Sequence, residues 1–122
     1  MKIICTKSDL SNAINTALKA VPGKTTMDIL ECMVIKATAN QIKIIANDLE
    51  LGIETSITGV VDEEGEICVK AKMFSEIIRK LPSDEISIFT EEMMLHIVCG
   101  KAKFSIPFRS TEEFPFLPDV TK

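Results

Sequence analysis

The chain has 122 residues, 46% of them hydrophobic and 26% charged, with neither Trp nor Tyr. That is one domain's worth of globular chain with an aliphatic core, not a disordered segment. The net charge of −4, taken as uniform, argues against a nucleic-acid partner, but it is unevenly spread. Residues 1–24 carry Lys2, Lys7, Lys19 and Lys24 against Asp9, and residues 67–82 carry Lys70, Lys72, Arg79 and Lys80 against Glu76. Each stretch is +3, so the rest must sum to −10 for the chain to reach −4. No run is long and apolar enough to span a bilayer and no signal-peptide pattern opens the chain, so a cytoplasmic location without a membrane partner is expected.

In chain order, KIICTKSDLSNAINTALKAVP predicts a short strand and then an amphipathic helix, with Ser8 as N-cap. The apolar face of that helix is Leu10, Ala13, Ile14, Ala17, Leu18 and Val21, and Pro22 ends it. Next, CMVIKATANQIKIIANDLELGIETSI predicts alternating strands broken at Ala39-Asn40, a hairpin turn, and at Asn47-Asp48. An acidic turn, Asp62-Glu63-Glu64-Gly65-Glu66, leads into EICVKAKMFSEIIRKLP, again a strand and a helix. Met73, Phe74, Ile77, Ile78 and Leu81 form its apolar face, and Pro82 stops it. The strands of EISIFTEEMMLHIVCGKAKFSIPF follow, broken at Glu91-Glu92 and Cys99-Gly100.

The second half repeats the first. Ile4-Cys5 aligns with Ile67-Cys68, Leu10 with Met73, Ile14 with Ile77 and Leu18 with Leu81, at an offset of 63 (67 minus 4). Among the later strands the offset falls to 53 (Ile42 to Leu95), so the first copy holds ten extra residues in and around Gly23–Cys32. The fold class is therefore α+β: a duplicated β-α-β-β-β unit with antiparallel sheets and two helices side by side on one face. The repeats run about 1–62 and 63–117 within a single domain, 1–122.

Chemistry-bearing motifs are weak. Gly23-Lys24-Thr25-Thr26 imitates a phosphate-binding loop, but the pattern's first glycine would fall at Leu18, and a helix precedes where a strand is required. Asp48 and Glu50 are turn acids without a third acid or a histidine nearby. Cys5, Cys32, Cys68 and Cys99 are too widely spaced for a zinc site and read as buried thiols. The only histidine, His96, is an outward strand residue. No nucleophile–base pair stands out, and no cofactor or metal is expected.

Three segments carry a resemblance: TTMDILECMVIKATANQIKIIANDLELGIE, with "IL" before one strand and "DLE" after the next; VKAKMFSEIIRKLP; and KAKFSIPFRSTEEFPFLP, with its terminal aromatic–proline run. They cover more than half of the chain in the right order and spacing. The sequence resembles the N-terminal domain of the bacterial beta sliding clamps, the beta subunits of DNA polymerase III.

That resemblance implies a non-enzymatic processivity factor. Two chains of three such domains close head to tail around duplex DNA, with helices lining the hole, and tether the replicative polymerase after a clamp loader has placed them. It implies a DNA-facing set of Lys24, Lys72, Arg79, Lys80 and Lys19. It also implies a dimer interface on the last strand, apolar at Phe104 and Ile106 and charged at Lys101 and Lys103. The family's partner-peptide pocket lies on later domains, and residues 118–122 look like the start of a linker. A 122-residue piece on its own is expected to be monomeric. The alternatives are a small α+β enzyme or a protein-interaction domain using its acidic surface.

Overall fold

The computed structural model describes residues 1–116; the expected linker, 118–122, lies outside them. The first copy comprises strand β1 (Lys2–Thr6), helix α1 (Lys7–Leu18), a 3-10 helix (Asp28–Glu31), and strands β2 (Cys32–Thr38), β3 (Gln41–Asn47) and β4 (Gly52–Thr58). A short strand β5 (Val60–Glu63) follows. The second copy is β6 (Gly65–Lys70), α2 (Ala71–Arg79), β7 (Glu85–Glu91), β8 (Met94–Cys99) and β9 (Ala102–Pro107).

All strand pairs are antiparallel, in two sheets ordered β5-β1-β7-β8-β9 and β4-β3-β2-β6. Each copy lends its first strand to the sheet of the other. β1 pairs with β7 from Lys2↔Phe89 to Thr6↔Glu85, and β6 pairs with β2 from Cys32↔Lys70 to Ala37↔Gly65. Neither copy can complete its sheet alone, so the duplication makes one domain.

The main core lies between the sheets and the helices. It takes Ile3, Ile86, Ile88, Leu95 and Ile97 from the larger sheet and Met33, Ile35, Ile42, Ile44 and Val69 from the smaller. Leu10, Ile14, Phe74 and Ile78 enter it from the helices. A second cluster covers the other face of the smaller sheet: Ile29 and Leu30 of the 3-10 helix and Phe114 sit on Cys32, Val34 and Cys68. The extra residues of the first copy thus build a cover. This explains why β2 begins with four consecutive buried residues, Cys32 to Ile35, rather than an alternation.

The hairpin turns match across the copies. Ala39 and Asn40 have φ of 45° and 65°, and Glu92 and Met93 have φ of 53° and 64°. Positive φ at both central residues suits the twist of a two-residue hairpin. The second turn is therefore Glu92-Met93 and not Glu91-Glu92, and it keeps the offset of 53.

Three local expectations are corrected. The N-cap of α1 is Thr6, whose Oγ1 accepts from the Asp9 amide at 3.2 Å; Ser8 instead binds Asp84 through its amide and its hydroxyl. The helices stop at Leu18 and Arg79, ahead of the prolines. The helix offset is 64 (Thr6 to Lys70, the two N-caps), not 63. Leu10 then matches Phe74, buried like it, whereas Met73 is 44% exposed. Either register satisfies the helical period, because two apolar residues stand side by side at 73 and 74.

Candidate nucleic-acid interface

α1 and α2 lie side by side and antiparallel. The Lys7 Nζ at the start of α1 donates to the Arg79 and Leu81 carbonyls at the end of α2, at 3.2 and 2.9 Å. At the other end, Val21, Pro22 and Gly23 beyond α1 face Lys70 of β6 and Lys72, Met73 and Glu76 of α2 across a cleft of about 350 Å³. The seam between the helices is narrow, lined by Ser11, Ile14 and Asn15 against Ser75, Ile78 and Arg79.

One face of each helix is buried and the opposite face is open. All five cations expected to face DNA are exposed, and none takes part in an ion pair among the described residues. They fall in two groups. Lys19 and Lys24, at and beyond the end of α1, lie toward Lys72, while Arg79 and Lys80 sit at the far end of α2. Lys7 also belongs to that far end. Its signal in the sequence was only a lysine at a helix start, where the macrodipole disfavours a cation. The structure gives it a role in binding the open carbonyls of α2.

β9 is the edge of the larger sheet, paired among the described residues only with β8. Lys101 just before it and Lys103 on it are exposed, and Phe104 is half-buried. Ile106 does not present a free apolar side chain as expected. It opposes Leu95 and is 4% exposed, inside the domain's own core. Residues 104 and 106 share a face, and that face turns inward under the helices.

The remaining polar residues are structural. Asp48 Oδ1 accepts from the Glu50 and Leu51 amides at 3.0 and 2.7 Å, which holds its carboxyl below the usual range. His96 stacks on Phe89 and shares a 2.8 Å hydrogen bond with Ser105. All four cysteines are buried and unpaired, and burial pushes the Cys5 and Cys68 thiols up to about 12. No group of His, Cys, Asp and Glu among the described residues could hold a metal ion, and no described helix is long and apolar enough to cross a membrane.

Two exchanged sheets beneath an antiparallel helix pair define a DNA-clamp domain. The chain belongs to the family of the DNA polymerase III beta subunit, N-terminal domain, matched over residues 1–118. It is similar to the beta sliding clamps of Streptomyces coelicolor (28% identity, 98% of this chain, 32% of the relative) and Bacillus subtilis (30%, 98% and 34%). The solved sliding clamp of Bacillus subtilis superposes with a TM-score of 0.94 at 30% identity, over 98% of this chain and 34% of that one. A solved Helicobacter pylori beta clamp bound to a DNA ligase peptide gives 0.92 at 27% identity, over 99% and 34%. The chain therefore spans about a third of the length of the relatives it matches.

Proposed function

We propose that this chain is one domain of a ring-shaped sliding clamp that encircles duplex DNA and tethers a replicative polymerase without catalysing a reaction itself. The carrying observation is the open antiparallel helix pair with cations at both ends that enter no ion pair among the described residues, in a chain of this family. Such a face attracts phosphates without reading bases, as a protein that must hold DNA and still move requires. In this reading Lys24, Lys72, Arg79, Lys80 and Lys19 face the DNA, and the exposed acids of the β5–β6 turn repel it from the outer surface. The ring closes as a head-to-tail homodimer of longer chains, loaded by a clamp loader in the cytoplasm. Residues 1–62 and 63–117 are the two repeats, and 118–122 lead to the next domain.

β9 supports a second part of the reading. An open edge flanked by Lys101 and Lys103, with Phe104 at its rim, suits pairing with another domain's edge strand. Ile106 supports that strand from within. The test is primed-template extension with the full-length protein. Lys24→Glu with Arg79→Glu should shorten products, most at low salt, where charges act over a longer range. Glu63→Lys with Glu91→Lys should leave product length unchanged. Products of normal length from the first pair at every salt would remove these residues from the DNA path. Phe104→Ala should weaken ring closure in sedimentation while leaving the domain folded.

A further inference from the structure

The outward stripes of the two helices both keep their cations at the ends. On α1, Ser8, Asn12, Asn15 and Lys19 follow one another at spacings of four, three and four, so they share a face. All four are exposed, and the only cation stands at the end. On α2, Lys72, Glu76 and Lys80 form a row at steps of four, also exposed. The acid occupies the middle and the cations the ends, about 12 Å apart along the axis. Because the helices are antiparallel, the two middles coincide. The helix pair is cationic at both ends and, between them, neutral on one helix and acidic on the other.

Glu76 has no structural duty that accounts for this placement. It lies one turn from Lys72 and from Lys80, where a stabilising pair is available, yet it enters no ion pair among the described residues. It is exposed and lines the open cleft at the start of α2. We infer that Glu76, the carboxylate in the middle of the α2 row, limits how firmly this face grips DNA, with Arg79 as the cation that reaches the seam beside Asn15. The inference rests on the helix pair being the DNA face.

The physical reason is the steepness of phosphate binding. Each phosphate neutralised adds about 0.9 to the log–log salt slope, so a continuous cationic stripe would hold a duplex too tightly for rapid movement. A carboxylate in the middle subtracts from the attraction at both ends. Repulsion from a single charge about 10 Å from several phosphates, weakly screened, corresponds to a several-fold change in affinity.

The experiment measures affinity of the full chain for a mixed-sequence duplex of about two helical turns, at ~0.02 M and ~0.2 M salt. Glu76→Gln should tighten binding about three- to ten-fold at the lower salt and less than about two-fold at the higher. Asn15→Lys adds a cation to the middle of the same face from the other helix and should tighten it as well, which keeps the test open if one variant misfolds. Lys72→Gln and Arg79→Gln should each weaken binding. If those two weaken it while Glu76→Gln and Asn15→Lys leave it unchanged, Glu76 has no such role and the DNA face stands. If none of the four changes affinity, the helix pair is not the DNA face and the inference falls with it.

Discussion

The two copies of the unit share an element order but treat their helices differently. α1 runs for 12 residues, is capped by the Thr6 hydroxyl, and shows solvent a polar stripe with one cation, Lys19, at its end. α2 runs for nine, has no side-chain N-cap, and carries Lys72, Glu76, Arg79 and Lys80 on its open side. Its C-terminal carbonyls are bound by Lys7 of the other copy. In return Asp84, which follows α2, binds the Ser8 amide and hydroxyl at the start of α1. What must be kept in both copies is the buried stripe. The open stripe is free to differ, and there more charge has accumulated on α2 than on α1.

The comparison breaks most readily at the core. Phe74→Ala should cost about 3–5 kcal/mol and its counterpart Leu10→Ala about 2–5 kcal/mol, read from urea unfolding of the chain. A loss below about 1 kcal/mol at either would mean that helix is not anchored as described.

Alkaline titration tests the exchanged strands, since each holds one raised thiol, Cys5 in β1 and Cys68 in β6. Both stay protonated in the folded chain up to about 12, while their ordinary value is 9.0. Above the ordinary value the unfolded chain releases a proton that the folded chain keeps, so unfolding is favoured as pH rises. Stability should be level below pH 9.0 as far as these groups are concerned, and decline from there toward 12. Removing one thiol with Cys5→Ala or Cys68→Ala should make the decline shallower in thermal melts at stepped pH. An unchanged slope would show that the thiols are not held from solvent.

Capping gives a smaller and sharper contrast. Thr6→Ala should lose about 1 kcal/mol, whereas Lys70→Ala at the matching position has no side-chain cap bond to lose. Equal losses at the two sites would remove the distinction between the helix starts. Smallest of all, Lys24→Glu with Arg79→Glu should shift stability by no more than about 0.5 kcal/mol. A larger shift in the same unfolding assay would give these cations a role in the fold.

Much of this was legible in the residues. Strand alternation, the Ala39-Asn40 turn, the two amphipathic helices and their duplication are local patterns, and local patterns follow from backbone period and side-chain polarity. The cationic ends of the helix pair were legible as two basic segments. The tertiary structure decided what local pattern leaves degenerate. Thr6 and Ser8 both offer a capping hydroxyl; only the position of Asp84 assigns them. Met73 and Phe74 both extend an apolar face; only packing against the sheets buries Phe74 and exposes Met73. Residues 104 and 106 must share a face, but whether it meets solvent or the core depends on where the helices lie. The exchange of β1 and β6 between sheets is a pairing of residues far apart in the chain, such as Lys2 with Phe89, and no local period records it. Side-chain period specifies which residues point the same way; what they point at is set by the rest of the molecule.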